Sequence, residues 1–106
     1  MELITREELK AALDEQQPIR LVMTLGEFGF RAKHIPGSVH LERPEDAPNH
    51  LARDDDIVVY CSDEACYASR LAYIKLEEIG FRRVRRYAGG VADWEAAGYP
   101  LEGEMA

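Results

Sequence analysis

Apolar and polar positions change their period several times along the chain, and each change marks an element. Thr5 with Glu8 three residues on matches a capping box, and Leu9, Ala12 and Leu13 form the apolar stripe of the helix that it starts. Leu3-Ile4 just before it is a short edge-strand candidate. Residues 19–25 are apolar and partly β-branched, a strand, and 38–41 form a shorter one behind Pro36-Gly37. Residues 46–52 suit one or two helical turns. Asp54-Asp55-Asp56 is a charged turn ahead of Ile57-Val58-Val59-Tyr60-Cys61, a run without alternation, as in a central parallel strand covered on both faces. A helix over 67–79 stops at Gly80, which suits the left-handed position after a last turn. A strand over 82–87, a turn at Gly89-Gly90 and a helix over 91–97 closed by Gly98 complete the chain. This alternation predicts a single α/β domain over 1–106, with a central parallel sheet of about five strands and helices on both faces.

Charge narrows the partners. The 106 residues carry a net charge of -7, from 20 acidic and 13 basic side chains. Such a surface repels phosphate backbones and anionic lipid, so neither nucleic acid nor membrane is expected as a partner. Arg82-Arg83-Val84-Arg85-Arg86 is the one basic cluster, and it reads as the ends and exposed face of a strand. No basic-then-apolar leader opens the sequence and no run approaches the roughly 18 apolar residues of a membrane span. The expected compartment is therefore the reducing cytoplasm, where Cys61 and Cys66 read as reactive thiols rather than a structural disulfide. Cys66 stays open between a loop residue without chemistry, a resolving thiol that would leave a disulfide with Cys61, and the sulfur acceptor itself.

Ligands of parallel α/β sheets gather beyond the carboxyl ends of the central strands. Cys61 ends the most buried-looking strand, and the loop after it runs into a helix. Loop N–H groups and the positive end of the helix dipole both favour a thiolate there. The dipole contributes roughly 0.3–2 kcal/mol, enough to lower a thiol pKa by up to about 1.5 units. Asp63 and Glu64 oppose it, but exposed charges in water interact by only about 1 kcal/mol at contact. The competing reading of Cys61 is a small buried apolar residue that completes a strand.

The motifs His34-Ile35-Pro36-Gly37-Ser38, Ile57-Val58-Val59-Tyr60-Cys61, Gly80-Phe81, Tyr87-Ala88-Gly89-Gly90-Val91-Ala92-Asp93-Trp94 and Ala97-Gly98-Tyr99-Pro100-Leu101 follow one another in this order. Together they resemble the rhodanese homology domain over residues 5–103. The resemblance implies a sulfurtransferase in which Cys61 accepts sulfane sulfur as a persulfide. The sulfur would come from thiosulfate, a persulfide or a polysulfide. It would pass to a thiol or cyanide, with a protein persulfide as a further candidate partner. It also implies a cradle of backbone N–H groups from Ser62, Asp63, Glu64, Ala65, Cys66 and Tyr67, with Ala68 and Ser69 completing the turn. No cofactor or metal is implied.

Three departures stand out. Met23 and Leu25 occupy positions where family members often carry Asp-x-Arg. The loop between Cys61 and Ser69 is about two residues longer than usual. It also holds two carboxylates and no Arg or Lys, which argues against thiosulfate as donor.

The remaining candidates read as structure. His34 is expected to hydrogen-bond in a turn, His40 and His50 to lie on the surface, and Trp94 to pack in the core. Gly26-x-x-Gly29 reads as a loop. Two cysteines and three scattered histidines lack the spacing of a zinc site. A phosphatase or arsenate reductase would need an arginine six residues after the cysteine, where Tyr67 stands, with Arg70 inside the helix. Two alternatives remain: a dithiol redox protein using Cys61 and Cys66, and a non-catalytic rhodanese-like binding module.

Overall fold

Val22 pairs with Val39 on one side and with Val59 on the other, and these parallel pairings set the architecture. The computed structural model describes residues 1–106. Its strands are β1 (Ile19–Met23), β2 (Val39–His40), β3 (Asp56–Tyr60) and β4 (Arg83–Tyr87), in the order β2-β1-β3-β4, all parallel. Leu3 adds an isolated parallel bridge to Arg86, the fifth position of the sheet. The expected α/β fold with a parallel sheet is therefore present, with four full strands.

Helices cover both faces. Helix α1 (Arg6–Asp14) begins with the capping box read from the sequence: the Glu8 N–H donates to Thr5 Oγ1, and the Thr5 N–H donates to the Glu8 carboxylate. On this face Leu9 and, from the last helix α4 (Gly90–Ala96), Trp94 bury Leu21, Met23, Val58, Tyr60 and Tyr87. On the opposite face, helix α3 (Ala68–Ile79) and a 3-10 helix over Pro44–Asn49 enclose Val22, Ile57, Val59 and Val84 with Ala72, Tyr73 and Leu76. Even and odd positions of β3 thus serve different cores. That is why its sequence shows no polar alternation.

Trp94 is buried as expected, and its indole N–H donates to the Pro100 carbonyl at 2.9 Å. Truncating such a side chain to alanine costs about 3–5 kcal/mol. The chain leaves α3 through Gly80, at φ 113°, where its N–H reaches the Leu76 carbonyl.

Two sequence expectations need correction here. Gly26-x-x-Gly29 is not a loop: Gly26 caps a six-residue helix, α2 (Glu27–Ala32). Intrinsic propensity does not predict it, because Gly29 sits inside and no side chain caps its start. Tertiary contacts hold it instead. Phe30 stacks on His34 at 4.1 Å and on His40 at 4.9 Å, and the Glu104 N–H donates to the Arg31 carbonyl. His40 is accordingly not a surface residue. It is half-buried, and its Nε2 is hydrogen-bonded to the Leu25 carbonyl at 2.6 Å. His34 behaves as expected, bonded through Nδ1 to the Phe30 carbonyl at 2.7 Å.

No helix is long and apolar enough to cross a membrane.

Candidate active site

Cys61 follows the last residue of β3 and is 1% exposed. Its surroundings are built from three directions. Below, Tyr60 anchors the strand end: its hydroxyl accepts from the Ile35 N–H at 2.9 Å and shares a hydrogen bond with Ser38 Oγ. Ser38 Oγ also donates to the Ile35 carbonyl at 2.6 Å. The His-Ile-Pro-Gly-Ser motif is thereby tied to the strand that presents Cys61. Burial pushes the Tyr60 phenol up to about 12, against the lowering effect of these hydrogen bonds.

From the side, α4 is docked on the residues that start the loop. The Val91 N–H donates to the Cys61 carbonyl at 3.0 Å and the Ala92 N–H to the Ser62 carbonyl at 2.8 Å. Gly90, at φ +66°, makes this approach possible. A Cβ on it would lie 2.5 Å from the Cys61 carbonyl oxygen. The second glycine of the Gly-Gly turn is thus a requirement of the site as well as of the turn. Asp93 on the same helix accepts from Tyr87 Oη at 2.5 Å and from Arg6 Nη1 at 3.1 Å, closing α4 against α1. Burial, then the bond to Asp93, raises the Tyr87 pKa.

The loop brings its two cysteines together. Cys61 and Cys66 are joined as a disulfide, with Cα atoms 6.2 Å apart. The cause is local: the Cys66 N–H donates to the Asp63 carbonyl and the Ala65 N–H to Asp63 Oδ1, a turn that folds position 66 back over the strand end. Two N–H groups expected to line a cradle are therefore turned to Asp63. Those of Ser62, Asp63, Glu64, Tyr67, Ala68 and Ser69 have no partner in the chain. Asp63, Glu64, Ala65 and Tyr67 are exposed, Ser62, Cys66 and Ala68 are half-buried, and Ser69 is buried.

Two clefts flank the loop. One of about 550 Å³ lies between the N-terminal segment, Asp63 and Glu64, and the turn from Tyr87 to Gly89. The other, of about 380 Å³, is bordered by Met23, Leu25, Ser62, Val91 and Met105. Met23 and Leu25, noted for departing from Asp-x-Arg, thus make an apolar wall where an ion pair was missing. Cys61 lines neither cleft in the disulfide form.

Arg86 is the residue that the sequence reading missed. It was placed on an exposed strand face, yet it is 3% exposed. Strand alternation explains this: Arg86 shares the face of Val84, which points into the core under α3, while Arg82 and Arg83 are exposed. Its Nε donates to Ser69 Oγ at 2.9 Å, in the first turn of α3. Burial, and then repulsion from Arg70, lowers its pKa. The signal was present in the spacing of Val84 and Arg86. No group of three or more His, Cys, Asp or Glu side chains converges as a metal site.

A cysteine just past a strand end, a loop leading into a helix N-terminus and a glycine-seated second helix are set in a parallel α/β domain. The Rhodanese-like domain family model matches residues 5–97, and the chain belongs to that family. Solved structures agree in fold. A protein from Bacillus halodurans superposes with a TM-score of 0.90 at 23% identity, over 98% of this chain and 78% of the other. The rhodanese-like domain of an Anabaena protein superposes with a TM-score of 0.86 at 26% identity, over 99% of this chain and 81% of the other. A rhodanese-related protein from Thermoplasma volcanium matches over 100% of both chains, with a TM-score of 0.78 at 18% identity. No curated protein matches the sequence.

Proposed function

We propose that the protein is a sulfurtransferase that carries sulfane sulfur as a persulfide on Cys61. The observation that supports this most is the position of Cys61: it follows the last residue of the central strand, its carbonyl accepts from the Val91 N–H and that of Ser62 from the Ala92 N–H, and the loop after it carries N–H groups without a partner in the chain. Membership of the rhodanese-like family supports the same reading. One structural neighbour, from Pseudomonas aeruginosa, is itself a thiosulfate sulfurtransferase, at 19% identity.

In the reaction, the Cys61 thiolate attacks the sulfane sulfur of the donor, and the donor's remaining group leaves with the bonding electron pair. A new S–S bond is formed on Cys61. An acceptor thiolate or cyanide then attacks the outer sulfur, and Cys61 departs as the thiolate. The cycle starts from the reduced protein, so a dithiol reductant must first open the Cys61–Cys66 bond. The partners are thus a small or protein-borne sulfur donor and a thiophilic acceptor.

The disulfide favours one addition to this scheme. Cys66 acts as a resolving thiol: its sulfur attacks Cys61 in the persulfide, the outer sulfur leaves as hydrosulfide, and the disulfide remains. The sulfane sulfur is reduced and the two thiols are oxidised. The test is intact and peptide mass spectrometry, after exposure to polysulfide, of the reduced wild type and of Cys66→Ser, in which no second thiol can remove the outer sulfur. Gain of one sulfur atom on the Cys61 peptide supports the reading, and no gain on any cysteine overturns it in favour of a non-catalytic module.

A further inference from the structure

Arg86 has no acidic partner in any ion pair of the molecule, and its Nη2 is buried without a hydrogen-bond acceptor. A buried guanidinium left without a counter-charge is costly, and most such groups recruit a carboxylate. Its neighbour Arg85 does so, donating to both oxygens of Asp56. Arg86 is instead held by Nε on Ser69, which fixes it beneath the first turn of α3.

The strand register shows what lies beside it. Arg86 pairs with Val59, and Cys61 lies two residues beyond Val59, just past the end of β3, where strand alternation continues the side of Val59. A strand spacing of about 4.8 Å and a rise of about 6.6 Å over two residues put the Cα atoms of Arg86 and Cys61 about 8 Å apart. Arg86 lies on the face covered by α3, and the same alternation carries Cys61 to it. The loop contains no cation, and Arg86 is a buried positive charge fixed on that face.

We propose that Arg86 is a positioning residue that holds Cys61 in its anionic form, thiolate or perthiolate, replacing from β4 the basic residue that the loop lacks. In the disulfide Cys61 is neutral and Arg86 is unpaired. Reduction supplies the missing counter-charge. This inference rests on Cys61 being the reactive sulfur of the proposed sulfurtransferase.

The other groups around the pair are accounted for. On α3 they are Ser69, the exposed Arg70, and Tyr73, whose hydroxyl accepts from the Glu2 N–H. On the loop they are Asp63, Glu64, Tyr67 and Cys66. Tyr87 and Asp93 face the opposite side with Arg6. The loop carboxylates are exposed, so water screens them far more than it screens the buried arginine.

The test is an alkylation-rate titration of Cys61 in a Cys66→Ser background, so that only one thiol reports. With Arg86 present the midpoint should lie below the ordinary thiol value of about 8.5. Arg86→Gln should raise it by about one pH unit, and Arg86→Lys should restore most of the shift. Midpoints that coincide in folded Arg86 and Gln variants overturn the inference. If the Gln variant does not fold, the Arg86 side-chain resonance of the Cys66→Ser protein decides. It should titrate with the Cys61 midpoint, and a flat resonance overturns the inference. Persulfide loading is measured separately. Loading with an unmoved midpoint overturns the role of Arg86 alone, whereas a moved midpoint without loading overturns the sulfurtransferase reading and leaves Arg86 as the thiolate's partner.

Discussion

The Val91 N–H donates to the carbonyl oxygen of Cys61 at 3.0 Å, so the last helix hangs from the residue proposed to carry sulfur. Gly90 sits between them, at φ +66°, with no room for a Cβ. Gly90→Ala should therefore destabilise the fold by about 2 kcal/mol or more, combining left-handed strain with a collision on backbone. It should also slow sulfur transfer, because the Cys61–Ser62 peptide must move. Denaturant midpoints and the transfer rate measured on the same sample check both effects.

Cys61→Ser should abolish persulfide formation. Cys66→Ser should still form the persulfide but accumulate it, because the attack that releases hydrosulfide is lost. Hydrosulfide release and peptide mass mapping distinguish the two. Loss of the persulfide in Cys66→Ser would reverse the roles of the cysteines.

Glu64 is exposed at the mouth of the larger cleft and repels a dianionic donor. Glu64→Lys should lower the KM for thiosulfate about fivefold at low salt, with a smaller effect at high salt. Asp63 is a less clean target, since its side chain and carbonyl both hold the loop turn. An unchanged KM at low salt would mean that the donor does not approach past Glu64.

Stability should fall steeply in alkali. The Tyr60 phenol stays protonated in the fold up to about pH 12, whereas an unfolded tyrosine ionises near pH 10. The folded pKa is the higher one. Its contribution is therefore complete below about pH 10 and is lost as the pH climbs to about 12, roughly 3 kcal/mol in all. Tyr87 is shifted in the same direction and adds to the slope. Denaturant unfolding at a series of alkaline pH values should show the fall, and Tyr60→Phe should flatten it.

Much of this architecture was legible before any coordinates. The unalternating run at 57–61, the Thr5–Glu8 box and Gly80 each state a local rule that the fold obeys, and together they place Cys61 at a strand end above a helix start. What escaped was tertiary. Helix α2 has poor local credentials and exists because Phe30 stacks between His34 and His40. Arg86 looked like one of four surface arginines, since a charged residue facing a core is improbable until its partner across the sheet is known. A curved loop already suggested that Cys66 could reach Cys61, but the Asp63 turn that brings it there is not dictated by a spacing of five residues.

The bridge between Leu3 and Arg86 has a consequence for how molecules of this protein meet one another. The Arg86 N–H donates to the Glu2 carbonyl, and the Ile4 N–H to the Arg86 carbonyl. These bonds occupy β4 on its outer side, where an open strand would invite a strand from another molecule. The opposite margin of the sheet is β2, only two residues long, too short a template for such pairing. Neither margin thus offers a long open strand, and the sheet presents little template for strand addition.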